Sequence, residues 1–290
     1  MPGVPLPPRR HLPTHEVTNQ PPPLIDCNLY TTHPALTEAI DIGPGWATEL
    51  LVPFGDRLAS EEIATAARQA NEAPPRLHSF DRFGQRIDEI EFHPAYHQLM
   101  QLGLEQGLHA LPWLERPGGH TVHAALEYLL VQVEAGVCCP MTMTYAAVPA
   151  LRQAPALAAE WEPKLLATAY DPRPLPLHAK RAVTCGMAMT EKQGGSDVRA
   201  NQTSAVRSSE GFWLLTGHKW FCSAPMSDLF LTLAQTPAGL SCFAVPRWLP
   251  DGSRNPVYLL RLLAKLGNHA IASAEREFLD TAGWLVGEEG

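Results

Sequence analysis

Apolar positions between about residue 34 and residue 170 recur with a helical period. Val122, Leu126, Leu129 and Val133 are spaced i, i+4, i+7 and i+11, which places them on one helix face. This spacing predicts a helix that starts near Thr121 and ends before Pro140. Ser60 ahead of Glu61 and Glu62 predicts a second start, with a hydroxyl cap and acids at the positive dipole end. Pro94 suits the first position of a third. Met141–Arg152 and Ala156–Tyr170 extend the helical pattern, the latter interrupted by Pro163, which cannot donate an i→i−4 bond.

Past residue 180 the period shortens. VTCGMAMT, FWLLT, HKWFCS, LFLTLAQ, LSCFAVP and VYLL are β-rich runs separated by turn clusters such as SSEG, PAG and PDGSRN. Six such runs within about 80 residues predict a compact antiparallel barrel or sandwich. Helices followed by strands make the fold α+β, not an alternating β/α design. The expected organisation is a Pro-rich arm over 1–33, a helical domain over 34–180 and a middle β domain over 181–290. Residues 1–23 would drape over the surface, because eight of the 28 prolines fall there. DPRPLPLH after Tyr170 reads as the interdomain linker.

Charge and cysteine content narrow the function classes. The net charge of −8 opposes sequence-independent phosphate-backbone binding by this chain. Six cysteines without a C-x-x-C spacing suggest neither a zinc site nor a disulfide framework, and a reducing cytoplasm is the expected setting. The N-terminal stretch has no signal-peptide core, and no run approaches the roughly 18 to 20 apolar residues of a membrane span. No G-x-G-x-x-G is present, so a nucleotide would not be held in the Rossmann manner.

The segment richest in chemistry is Met187-Ala188-Met189-Thr190-Glu191-Lys192-Gln193-Gly194-Gly195-Ser196-Asp197. Its glycine pair permits close backbone approach and its Thr190 and Ser196 hydroxyls donate or accept, which suits a planar heterocycle or a phosphate. A plain Gly-Gly turn fits the same letters. Thr216–Ser223 concentrates aromatics where strand alternation buries only every second side chain. Either Trp220 or Phe221 therefore faces outward or faces a ligand, unless the strand is covered on both sides.

Glu191 reads as a loop-ordering or lysine-paired group ahead of a general base, and Glu134, inside an apolar helix, carries the same ambiguity. His93 and His97 lie four apart and His120 and His123 three apart, but without a third ligand these read as solvent or core histidines. No metal site is expected.

The two segments, in this order and about 25 residues apart, resemble the flavin-binding motifs of the acyl-CoA dehydrogenase family, T-E-x-x-x-G-S-D and G-x-K-x-W-[IV]-[TS]. MTEKQGGSD, GHKWF, CPMTMTYA, GLSCFAVPRWLPDG, KLGN, HEVTNQPPPL and FHPAYHQLM are similar to the AidB, alkylation-response branch. The resemblance covers about residues 15–290. It implies FAD as cofactor, held by Met187, Ala188, Met189, Thr190, Gly195, Ser196, Phe221, Cys222 and Ser223, with Phe221 against the isoalloxazine and Ser223 as the flavin-contacting hydroxyl. It also implies that Met141, Met143 and Tyr145 line an acyl pocket, for which core packing is the competing reading.

Two departures stand out. Lys192-Gln193-Gly194 replaces a proline-containing P-x-A, and Phe221 replaces a tryptophan. By resemblance a C-terminal helical domain would follow residue 290, carrying the catalytic base, much of the site for the adenosine diphosphate of FAD, the homotetramer core and any DNA contact. No catalytic residue is therefore assigned within 1–290. Three functional readings follow: flavin-dependent α,β-dehydrogenation of a small acyl-CoA-like substrate, a non-turnover DNA-associated flavoprotein of the alkylation response, and a fragment unable to hold FAD.

Overall fold

A computed structural model describes residues 14–290 except Val17 and Pro23, so most of the proline-rich 1–23 reading lies outside the described residues. The helical half contains α1 (Pro34–Asp41), α2 (Ala47–Leu58), α3 (Glu61–Glu72), the hairpin β1 (Arg76–Phe80) and β2 (Arg86–Glu91), α4 (Pro94–Glu105), α5 (Gly119–Val131), α6 (Ala135–Leu151) and α7 (Pro155–Leu165). The β half contains β3 (Cys185–Ala188), β4 (Ser204–Arg207), β5 (Trp213–Ser223), β6 (Leu229–Thr236), β7 (Gly239–Pro246), β8 (Val257–Leu262) and β9 (Ser273–Val286). The α+β order read from the sequence is the one observed.

Local signals place several helices. The Ser60 hydroxyl accepts the Ile63 amide at 3.4 Å and starts α3, and Pro94 opens α4 behind a His93 ring that accepts the Ala95 amide at 3.2 Å. Val122, Leu126 and Leu129 are fully buried along one face of α5 and join the core of the helical half.

Three helix boundaries differ from the sequence reading, one of them the end of α7, which stops at Leu165 and not at Tyr170. The segment from Thr121 to Pro140 is two helices, because α5 stops at Val131 and Val133 packs from the turn. Glu134 lies outside α5, in extended backbone, and its carboxylate accepts the Gly136 amide at 2.7 Å to cap α6. Pro140 then falls inside α6, where Thr144 Oγ1 donates to the Pro140 carbonyl at 2.7 Å.

The barrel closes through β6–β4–β5–β9–β7 and back to β6, with β3 added on β6 and β8 on β9. Most pairings are antiparallel as expected. β3 with β6, and the single Ser204–Gln235 bridge of β4 with β6, are parallel, since the linker and loop 189–203 carry the chain back before each strand. FWLLT and HKWFCS form one continuous strand, β5, passing through Gly217. A Cβ there would stand 2.6 Å from the Thr203 backbone, so glycine lets β5 close on the segment leading into β4. One apolar cluster fills the barrel, and another joins α6 and α7 to β3 and β6.

Candidate functional site

The loop after β3 is held from inside the barrel. Glu191 turns inward with 3% of its surface exposed. Its Oε1 accepts from the Thr203 amide (3.0 Å), the Thr203 hydroxyl (2.6 Å) and Lys219 Nζ (2.9 Å); Oε2 accepts from the Gln202 amide and Gln193 Nε2, both at 2.7 Å. Burial pushes the Glu191 carboxyl up, but these donors together outweigh it and hold it at about 2. Burial also lowers the pKa of Lys219, which is fully enclosed. The lysine-paired, loop-ordering role expected for Glu191 is the one observed.

With Glu191 fixed, the rest of the loop faces out. Glu191 and Gly194 exchange backbone hydrogen bonds at 3.0 and 3.3 Å around a tight Lys192-Gln193 turn. A Cβ on Gly195 would stand 2.7 Å from Thr190 Oγ1, so the second glycine lets the Thr190 side chain lie against the returning backbone. Gln193, Gly194, Gly195, Ser196, Asp197 and Ala200 line an open cleft of about 330 Å³.

The facing edge comes from a β-bulge in β5. Lys219 pairs with Arg276 and Cys222 with Ala274, so Trp220 and Phe221 together oppose Glu275 alone. Phe221 takes the extra position in left-handed backbone, φ 54°, and is 53% exposed. An aromatic residue in that conformation costs of order 1–3 kcal/mol, and such strain concentrates at functional sites. The bulge answers which aromatic faces outward: it is Phe221. The Trp220 amide donates to the Thr190 carbonyl at 2.8 Å, which fixes the aromatic edge to the Gly-Gly loop.

The nine residues assigned to the cofactor do not all present side chains. Gly195, Ser196 and Phe221 are exposed, and Met187, Met189, Thr190 and Ser223 are half-buried. Ala188 and Cys222 point into the barrel, so only their backbone is available to a ligand. Ser223 Oγ lies 3.1 Å from Ser273 Oγ and beside the Cys139 thiol of α6, whose pKa burial raises.

Sequence reasoning missed the bracket around Trp220. Lys192 and Arg261 each lie 5.2 Å from its ring centroid, and both are paired to the buried Glu275, Arg261 at 2.7 Å. Two cations flanking a tryptophan through one acid cannot be seen from four segments distant in sequence.

The histidines and α6 take structural positions. His97 bonds Tyr170 Oη at 2.7 Å, His120 bonds Tyr145 Oη at 2.8 Å, and His123 bonds the Leu108 carbonyl at 2.7 Å. Among the described residues no His, Cys, Asp and Glu group could hold a metal. Met141 is buried in the helical core, whereas Met143 is half-buried and Tyr145 stacks on His123 at 4.1 Å.

Residues 19–172 match the model of the adaptive response protein AidB N-terminal domain, and residues 186–281 match that of the acyl-CoA dehydrogenase middle domain. The chain belongs to the acyl-CoA dehydrogenase family, in its AidB branch. It is 50% identical to AidB of Escherichia coli (strain K12), over 97% of this chain and 52% of that protein. The structure of Caenorhabditis elegans ACDH-11 in complex with C11-CoA superposes with a TM-score of 0.83 at 29% identity, covering 96% of this chain and 49% of that one. A Bacillus anthracis acyl-CoA dehydrogenase complexed with FAD gives a TM-score of 0.60 at 16% identity over 84% and 38% of the two chains, a likeness of fold. The chain spans about half the length of the curated relatives it matches first. Among the described residues no helix is long and apolar enough to cross a membrane.

Proposed function

We propose that this chain carries the flavin-binding face of an FAD-dependent acyl-CoA dehydrogenase-type protein of the AidB branch. The observation that carries the reading is Phe221, an exposed aromatic held in strained backbone and tied through Trp220 to a Gly-Gly loop. These residues fit an isoalloxazine. Phe221 offers a flat apolar face, Thr190, Ser196 and Ser223 offer hydroxyls, and the chain at Gly194 and Gly195 is bare of side chains.

When bound, the flavin would supply hydride acceptance, which is the cofactor's own chemistry. Phe221 would orient the ring and exclude water from one face. The Glu191–Lys219 pair would keep the loop in register behind it, a positioning role. The substrate would be an acyl-CoA or a related thioester undergoing α,β-dehydrogenation.

One observation favours a second reading, a flavoprotein without turnover that acts in the alkylation response. Glu191 and Glu275, buried behind the proposed flavin face, are both committed to ion pairs, and Asp197 on the cleft wall accepts the Arg199 amide at 3.2 Å as a turn cap, so none of the three is held as a base toward a substrate proton. The charge of −8 argues against this chain supplying a DNA contact.

The test is the visible spectrum of purified 1–290 after addition of FAD, with released cofactor identified after denaturation. Stoichiometric bound FAD is expected; a folded chain that stays colourless overturns sufficiency of the face. Phe221→Ala should weaken FAD at least tenfold while leaving the thermal midpoint within about 2 °C, since an exposed, strained residue adds little to stability. Unchanged affinity would remove Phe221 from the site. Anaerobic addition of short acyl-CoAs to a flavin-loaded form that carries the C-terminal helical domain implied by the resemblance separates the two readings, because only a dehydrogenase bleaches.

A further inference from the structure

A second polar cavity, of about 210 Å³, lies where the β1–β2 hairpin of the helical half meets the barrel. It is lined by Arg86 and Asp88 from β2, by Arg247 and Arg254 beyond β7, and by Arg276 from β9. Arg276 is 2% exposed. Its Nη2 donates to the Pro225 carbonyl at 2.7 Å and its guanidinium stacks 3.5 Å from the Phe230 ring centroid, yet Nε and Nη1 have no partner among the described residues. Burial lowers its pKa to about 10, with Arg247 adding to the effect, and it stays charged at neutral pH.

The charges do not balance within the cavity wall. Arg86 pairs with Asp88 at 2.8 Å, and Arg254 with Glu89 at 2.7 Å. Arg247 and Arg276 form no ion pair among the described residues; Arg247 donates only to the Met226 and Asp88 carbonyls, at 3.3 and 3.5 Å. Two guanidiniums of like charge thus share one low-dielectric space, an arrangement that is costly unless an anion compensates it. The space exceeds the roughly 30 Å³ share of one water several-fold.

The acceptor side is equally specific. Asp88 is buried in left-handed backbone, φ 43°, and its Oδ2 accepts from Arg86 and from the Leu259 amide at 3.1 Å. Its Oδ1 has no partner. A carboxylate oxygen accepts but cannot donate, so it repels a fully ionised anion and welcomes one that still carries a proton.

We propose that this cavity is a binding site for a protonated tetrahedral oxyanion of the phosphate class. Arg276 Nε and Nη1, with Arg247, serve its ionised oxygens, and Asp88 Oδ1 accepts its P–OH. Inorganic phosphate and a phosphomonoester share that chemistry, whereas sulfate lacks the proton at neutral pH. A bound ion would also clamp the hairpin to the barrel, since Arg86 and Arg254 already cross that seam to Leu259, Ile87 and Glu89.

The test is isothermal titration of the 1–290 chain with inorganic phosphate, methyl phosphate and sulfate at constant ionic strength, paired with thermal unfolding. We expect saturable phosphate binding at least tenfold tighter than sulfate, and a midpoint raised by about 5 °C at 100 times the Kd. Binding of methyl phosphate as well as phosphate identifies an ester end group; phosphate alone identifies the free ion. Arg276→Met should abolish binding yet unfold no earlier than the parent in phosphate-free buffer, since it removes an uncompensated buried charge. Asp88→Asn should narrow the phosphate preference over sulfate. Absence of saturable binding overturns the site, and sulfate binding equal to phosphate overturns the protonated-anion assignment. Undiminished phosphate binding by a folded Arg276→Met chain moves the ion elsewhere.

Discussion

Glu191→Ala is expected to lower the unfolding free energy by about 3–5 kcal/mol, the range for removing one partner of a buried ion pair. The cost has two parts. Lys219, fully enclosed, would lose its carboxylate, and the amides of buried Thr203 and exposed Gln202 would lose their acceptor, the former away from solvent. Lys219→Met together with Glu191→Ala removes the stranded charge but not the orphaned amides, so the double variant should recover only part of the loss. Urea unfolding read by tryptophan fluorescence measures both. A single-variant loss below 1 kcal/mol would mean that the loop is held by something else.

The same pair sets a pH dependence. The Glu191 carboxyl titrates near 4.5 when unfolded and about 2 when folded, so ionisation stabilises the native state above about pH 4.5. That stability is lost as the pH falls from about 4.5 to 2, by about 3 kcal/mol at most. The slope should be smaller in Glu191→Ala, and an identical slope would place the effect on other carboxylates.

The sequence showed what neighbours in the chain decide, and concealed what distant segments decide. The Ser60 cap, Pro94 at a helix start and the buried stripe of α5 each depend on a few adjacent residues. The β1–β2 hairpin went unread because its residues are largely half-buried or exposed and rich in charge, with Arg76, Arg86, Asp88, Glu89 and Glu91 obscuring the alternation. β9 was missed for the opposite reason. Glu275 and Arg276 are adjacent, charged and both buried, so polarity there does not report exposure. In the candidate site, Thr190, Gly195 and Phe221 stood out by type and resemblance. The bulge that turns Phe221 outward depends on the register of β5 against β9, some 50 residues away, and no local letter encodes it.

A second large effect is expected from Asp228, and it should run differently from Glu191. Asp228 is buried at the start of β6, where it accepts from Lys180 Nζ at 2.6 Å and from the Thr184 amide at 3.0 Å. Burial raises its pKa despite Lys180, so ionising it as the pH rises costs stability; the pair does not repay its own desolvation. Asp228→Ala alone should still cost about 3–5 kcal/mol, because Lys180, 6% exposed, would be left charged and unpaired beside the cavity shared with Tyr170 and Arg247. Replacing both, Lys180→Met with Asp228→Leu, should restore the parent stability to within about 1 kcal/mol or exceed it, since an apolar pair of similar volume needs no compensation. Only one backbone amide loses its acceptor here, against two at Glu191, which is why recovery should be nearly complete at one pair and partial at the other. A double variant as unstable as Asp228→Ala would show that the Asp228 carboxylate is needed for more than neutralising Lys180.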